Sequence, residues 1–419
     1  MLFRRVCQTT LHAVLFIVAA SQFNTAQDWS QWRGPNRDGV VKGFTEPKAW
    51  PEQLQSKWKV TVGEGHSSPV VAGNRVFQLT RQGNREIVTC FDLDSGKQLW
   101  QDGYEVKFKL SLSNSVIVGK HKQAPRATPV VSNGKLYTFG IGGVLSCYDT
   151  ATGKVVWRHD SGQTYKDPAP SFGQSMSPLV DRGLVIVHLG GHNSGALTAF
   201  DANSGAVKWQ WADDGPGDAS PIVVDIGGTR QIITQSQDNI ISIWPENGGL
   251  LWKIPFTTEY EQNIVTPVQY KDTLIFSGIN KGVFAIRPKY AGGQWTTEQV
   301  WKNDQVGMYM NSPILSGNLL FGLSHKNKGQ FFCLDAATGK TYWLGDGRQG
   351  ESAAMVVAGT TMFWLTNDGE LIVTRIASNK VEPLKRYKVA DSETWAHPVI
   401  IGHRMLIKDH SSLALLSLE

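Results

Sequence analysis

The chain has 419 residues, 41% of them hydrophobic and 18% charged, which is long enough to bury a sizeable core without covalent staples. Its formal charge of +5 becomes +3 once the two charges of Arg4 and Arg5 are set aside. The excess is spread over the chain with no basic run, which excludes nucleic acid as the expected partner. Among the four cysteines there is no adjacent pair and no Cys-x-x-Cys-His, so neither a vicinal disulfide nor a c-type haem attachment is encoded.

At the N-terminus, Arg4-Arg5 precede an apolar run, Leu11–Ala20, and no acid occurs before Asp28. This is the pattern of a signal peptide over residues 1–26, cleaved after Ala20 or Ala26, and it implies an exported, periplasmic or extracellular protein. An uncleaved anchor is the alternative. The run is only about half the length a spanning helix requires, so no stable membrane span is expected in the mature form. Residues 27–51 read as an N-terminal arm. After it comes an isolated strand pattern, Ser56-Lys57-Trp58-Lys59-Val60, with none of the strands that should accompany it.

From Pro69 onward the sequence repeats. Units open at Ser68-Pro69, Thr128-Pro129, Ser177-Pro178, Ser220-Pro221, Thr266-Pro267, Ser312-Pro313, the degenerate Ala354-Met355, and His397-Pro398. The period of roughly 42–60 residues belongs to solenoids and propellers. Short runs rich in Val, Ile, Phe and Tyr, separated by Gly, Asn and Asp turns, give four strands per unit; in the first they are Pro69–Val71, Arg75–Leu79, Glu86–Phe91 and Gln98–Trp100. Asp92, Asp149, Asp201 and Asp335 each stand eight residues before a Trp, and Gly96, Gly153, Gly205, Gly248 and Gly339 stand four before one. These glycines suit the positive φ of a tight turn between the third and fourth strands. Trp58, Trp100, Trp157, Trp209, Trp252, Trp301, Trp343 and Tyr387 are the matching aromatics, expected to dock one blade on the next.

The last unit runs out of chain before its own Trp, while Trp58 has a strand but no unit. The expectation is an all-β, eight-bladed β-propeller of four-stranded antiparallel blades over residues 52–419, with Ser56–Val62 completing the last blade and closing the ring. Cys90, Cys147 and Cys333 share a place on the third strand, too far apart around a ring to pair, and are expected to be buried free thiols.

The turn-plus-tryptophan pattern resembles the docking motif of the quinoprotein (PQQ-like) eight-bladed propellers, a family that includes the outer-membrane assembly lipoprotein BamB. The resemblance runs from Gln53 to Glu419. The segment Trp29-Ser30-Gln31-Trp32-Arg33-Gly34-Pro35-Asn36-Arg37-Asp38-Gly39 also looks like the opening of exported bacterial PQQ-like repeat proteins. Cys7 precedes the apolar run where a lipobox cysteine would follow it, a departure from the BamB pattern. The resemblance implies an exported, non-catalytic binding or scaffold propeller with a protein or small-molecule partner at its mouth. It also admits a PQQ-dependent dehydrogenase using calcium, and recognition of a polysaccharide or other small ligand at a central funnel.

If the first strand of each blade lines the channel, the residues just before each Ser/Thr-Pro rim its mouth. They include His66, Arg126, Gln174, Asp218, Asn263, Asn311, Glu351, Trp395 and His397, the candidate ligand-binding set. A quinoprotein site needs carboxylate and amide oxygens for calcium and a base for the alcohol proton. Asp218, Asn263, Asn311 and Glu351 are the right types, with Trp395 as a stacking surface, but they lie on different blades and the disulfide lid is missing. No catalytic residue, metal or cofactor is therefore expected. His188 and His192 flank a Gly turn rather than one face of a helix, which does not suit zinc. The loops Trp100–Pro129 and Asp160–Met176 are expected on the mouth side, as a partial lid or a docking ledge.

Overall fold

The computed structural model describes residues 28–108 and 123–419; the expected signal peptide and the middle of the Trp100–Pro129 loop lie outside the described residues. Eight antiparallel sheets form a ring. Blade 1 comprises Val70–Ala72, Arg75–Gln82, Arg85–Asp92 and Gln98–Glu105, and the innermost strands of blades 2 to 8 begin at Val130, Leu179, Ile222, Val268, Ile314, Ala353 and Val399. Gln55–Thr61 pairs antiparallel with Ser412–Ser417 as the outer strand of blade 8, so the first strand of the ring completes the last blade as expected. Main-chain hydrogen bonds between the two chain ends leave no open sheet edge at the joint.

Seven of the terminal aromatics follow one register rule. A β-bulge on the outer strand precedes each of Trp58, Trp100, Trp157, Trp209, Trp252, Trp301 and Trp343, turning the indole toward the neighbouring blade. In five cases the ring lies on the next blade's Gly turn, with its Nε1 donating to a turn carbonyl. Trp58 bonds Leu93 O at 2.9 Å, Trp100 bonds Thr150 O at 3.0 Å, Trp157 bonds Ala202 O at 3.2 Å, Trp209 bonds Pro245 O at 2.9 Å and Trp301 bonds Ala336 O at 3.1 Å.

Trp252, Trp343 and Tyr387 pack between blades without that turn. The third-to-fourth hairpins of blades 5 and 7 are long (Gly282–Ala291 with Gln294–Asn303, and Glu370–Ala377 with Lys380–Lys388), which carries their turns away from the preceding Trp. Trp252 bonds Gln231 Oε1 of its own blade at 3.0 Å instead. In blade 7 the bulge places Lys385, not Tyr387, at the docking position. Blade 8 has no third-to-fourth hairpin to receive an aromatic, and the Tyr387 hydroxyl bonds Pro51 O, just ahead of the closing strand, at 2.8 Å.

The three cysteines lie directly across from Trp100, Trp157 and Trp343, where other blades carry Ala199, Ser242 and Ala285. A small residue there makes room for the indole in six blades, although blade 8 sets Leu415 across from Trp58. All three are buried free thiols, and desolvation pushes each up to about 12.

One expected loop boundary moves. Tyr104 belongs to the outer strand of blade 1, which continues to Glu105. Its hydroxyl donates to the buried Glu86 carboxylate at 2.5 Å, and Ile141 N of blade 2 donates to the same group at 2.8 Å. The strand continues because this pairing holds it. Among the described residues no helix is long and apolar enough to cross a membrane.

Candidate functional site

Two features build the site: a ring of hydroxyls, supplied by the periodic Ser/Thr, and a plug that no periodicity marks. The Ser/Thr ahead of each Pro is a link between blades. Backbone N–H groups of Ser68, Thr128, Ser177, Thr266 and His397 donate to the hydroxyls of Thr128, Ser177, Ser220, Ser312 and Ser68 at 2.8–3.2 Å. An N–H at the start of an inner strand has no strand partner on the channel side, and the neighbour's hydroxyl satisfies it.

The plug is the N-terminal arm. Trp29 exchanges two main-chain bonds with Val71, and Ser30 O accepts from Val131 N at 2.8 Å. Residues 31–38 form consecutive turns inside the ring. Arg37 donates to Pro178 O at 2.9 Å and Ser177 O at 3.1 Å, while Arg33 donates to Pro313 O. Val40–Val41 then pairs parallel with Val357–Ala358, making blade 7 five-stranded. Gly39 has φ 77, and a Cβ there would meet Ile314 Cδ1 at 2.9 Å, so only glycine lets the arm pass so close to the wall. Both guanidinium groups are buried with carbonyl partners. Desolvation lowers Arg33 to about 10 and Arg37 to about 9, the second helped by repulsion from the first.

Above the plug lies a cavity of about 780 Å³ that opens on the mouth side. Trp32, at the top of the arm, lines its base; its Nε1 bonds Thr266 Oγ1 at 3.2 Å and its ring meets His397 edge-on, centroids 4.5 Å apart. His397 is buried, and desolvation with the nearby Arg33 charge lowers it to about 3, so it is neutral at ordinary pH. On the wall, His66 and Trp395 are stacked at 5.6 Å and 23°.

Seven of the nine expected mouth residues line this cavity: His66, Arg126, Asp218, Asn311, Glu351, Trp395 and His397. Gln174 and Asn263 do not. The Gln174 amide turns away to Gly190 O at 2.9 Å, and Asn263 Nδ2 donates to Ser236 O, Gln237 O and Phe256 O at 2.7–2.9 Å. Both latch loops to the second-to-third turns beside them, because those turns have carbonyls that no strand satisfies. Asn311 faces the cavity, but its amide is likewise engaged by Leu323, as donor to the carbonyl at 3.0 Å and acceptor from N–H at 3.3 Å.

Sequence reasoning missed Trp32, Phe172, His325, Lys328 and Arg348, which also line the cavity. Lys328 and Arg348 have φ of 62 and 64 in loops of blade 6, positions with no mark in the sequence. Trp32 had a signal in its Trp-rich arm, but nothing local says that an arm enters the ring. Of the two expected mouth loops, the described parts contribute Arg126, Phe172 and Ser175 to the lining, and Arg126 donates to the Phe172 carbonyl.

The electrostatics are mixed. Desolvation raises the Asp218 carboxyl, while Arg126 and a hydrogen bond from Ser175 pull it back down. Across the cavity stands Glu351, with Lys328 and Arg348 also on that wall. Tyr309 donates its hydroxyl to Gln262 Oε1 between the two walls.

The cavity's lining offers few unspent oxygens to the calcium of a quinone cofactor. Calcium takes six to eight oxygen ligands; Asp218 is matched with Arg126 and the Asn311 amide is held by Leu323, while Asn263 commits its Nδ2 to backbone and keeps a buried Oδ1 with no hydrogen-bond partner among the described residues, though it does not line the cavity. Among the described residues no three His, Cys, Asp or Glu side chains come together to share an ion. His188 and His192 are separated as well: His188 is buried against Asp214 O at 3.1 Å, and His192 pairs with Glu261.

Several known proteins share this fold and parts of the sequence. A BamB from Yersinia pestis is 26% identical over 264 residues, 60% of this chain and 58% of its own length, so the chain spans a little over half of that relative. The crystal structure of BamB from Moraxella catarrhalis superposes with a TM-score of 0.62 at 15% identity, over 87% of this chain and 99% of that one. Quinohemoprotein alcohol dehydrogenase from Comamonas testosteroni gives 0.68 at 14% identity, over 94% of this chain and 80% of that one. At these identities the structural likenesses speak for the fold alone. The profile of the family described as outer membrane protein assembly factor BamB matches residues 84–345, more than half of the chain, and the protein belongs to that family.

Proposed function

We propose that the protein is an exported, non-catalytic binding propeller of the BamB type that receives its partner or ligand at the funnel mouth. The observation that carries this reading is the blind cavity. It is of ligand size, floored by Trp32 of the arm that crosses the channel and walled by polar and aromatic side chains. Family membership supports a binding role, since the Yersinia pestis relative is named an outer membrane protein assembly factor, and a protein partner fits the same face. The rival reading, a PQQ-dependent oxidoreductase, has the cavity's position in its favour, and against it the pairing of Asp218 with Arg126 and of the Asn311 amide with Leu323.

Calorimetric titration with PQQ and calcium, together with a dye-linked alcohol oxidation assay, tests the choice. The expected result is no turnover and no saturable heat. Micromolar or tighter PQQ binding that is lost in Asp218→Asn or Glu351→Gln would overturn the binding-module reading in favour of the enzyme.

A further inference from the structure

Resting on the reading of the funnel as a binding site, we propose that its occupant is a neutral, polyhydroxylated ring, one or a few units of a saccharide, seated on the indole of Trp32 that the N-terminal arm supplies. Three observations lead there. The first is the state of the two tryptophans. The Trp32 nitrogen is spent on Thr266, and Trp395 Nε1 bonds Glu393 at 3.1 Å. Both rings are braced by a neighbouring imidazole, Trp32 by His397 in an edge contact and Trp395 by the stacked His66. With their polar atoms engaged, they offer the cavity apolar surface already in position, and the C–H face of a sugar ring is the polar-rimmed ligand such a surface suits. Because the rings are positioned without a ligand, stacking costs little ordering entropy.

The second observation is charge. A polyanion entering the funnel meets Asp218 on one wall and Glu351 on the other; a polycation meets Arg126, and Lys328 with Arg348. Asp218 and Arg126 are half-buried and Glu351, Lys328 and Arg348 exposed, so a ligand of either single sign meets a like charge on each side as well as an opposite one, and neither class is favoured. Vicinal hydroxyls both donate and accept, and planar carboxylate, guanidinium and amide groups match them in pairs. Gln262 adds to this: its oxygen is taken by the Tyr309 hydroxyl, which orients the NH2 as the group left to donate to a ligand.

The third is the closed base. The arm bonds to the inner strands of blades 1, 2 and 7 and, through Trp32, Arg33 and Arg37, to the starts of blades 5, 6 and 3. The occupant therefore enters and leaves by the mouth, which suits a chain end or a short oligosaccharide and rules out a threaded polymer.

The test is a glycan array of neutral and acidic oligosaccharides probed with the full protein, followed by calorimetry on the best neutral hit. PQQ and an acidic peptide serve as non-saccharide probes. The proposal expects a neutral saccharide to bind one-to-one, with affinity falling at least tenfold in Trp32→Ala and in Trp395→Ala, largely kept in Trp32→Phe, and unchanged in Trp244→Ala on the outer surface. Trp395→Ala leaves the arm intact, so it separates loss of a stacking face from loss of the plug. Binding of the peptide at the mouth with no saccharide bound overturns the ligand class and leaves the funnel as a binding site, whereas micromolar PQQ binding lost in Asp218→Asn or Glu351→Gln overturns the binding-module reading as well. No binding of any probe overturns both. Saccharide binding indifferent to Trp32 and Trp395 overturns the seat.

Discussion

The glycine of each docking turn answers to two constraints at once. Gly205 has φ 72, and a Cβ there would fall 2.7 Å from Trp157 Cδ2, so both backbone conformation and the arriving indole forbid a side chain. Trp157→Ala removes a ring, a hydrogen bond and the contact between two blades, and should cost about 3–5 kcal/mol, as large core deletions do. Trp343, half-buried like Trp157 but without a turn beneath it, should cost clearly less, and Trp395 on the funnel wall less again. Denaturant midpoints of the three variants check the order; equal losses would mean that the turn contributes nothing beyond area. Histidine burial makes a separate prediction. His188 and His397 are lowered by desolvation from 6.5 to about 4 and about 3, so the folded state holds them neutral while the unfolded chain protonates them first. Stability is therefore full above about pH 6.5 and lost as pH falls toward 3, by on the order of several kcal/mol for the two together. Melting temperature against pH should fall over that window, and His188→Gln with His397→Gln should flatten the fall.

Two pieces of the N-terminal region lie far from their sequence neighbours and do different work. Deleting residues 49–62 removes the outer strand of blade 8, exposes unpaired edges on Ser412–Ser417 and strips the Trp58 ring from Gly96. Thermal stability should drop sharply, and an unchanged melting temperature would contradict closure through this strand. Deleting residues 28–42 leaves every blade its four strands but takes away Trp29, Trp32, both buried arginines and the fifth strand on blade 7. The ring should still form, less stable, with its base open. Solvent quenchers should then reach the core tryptophans more readily than in the full protein, and comparable quenching would argue against the plug.

At the scale of the whole molecule, each blade is completed by its neighbours, through the Trp–Gly docking and the hydroxyl ring. The three thiols are distributed through this shared core and are each raised to about 12. They should label with a thiol reagent only as the ring unfolds. Fast labelling of Cys90, Cys147 or Cys333 in the native protein would reveal a blade that opens alone.

Strand number, blade number, the closing strand and the place of the cysteines were legible because they are periodic: each blade meets the same local problem and solves it with the same residues at the same spacing. Most of the mouth set was legible for the same reason, since residues ahead of an inner strand must reach the channel end. The direction of a polar side chain was not, and Gln174 and Asn263 turned to stray carbonyls that only the folded neighbours present. Nor were Lys328 and Arg348, set by left-handed backbone in two loops of one blade, nor the misplaced aromatic of blade 7, where a longer hairpin moved the bulge. The largest feature of tertiary origin is the arm. Its burial depends on a channel that does not exist until eight blades have closed around it, so no local pattern in residues 28–42 could announce that Trp32 becomes the floor of the site.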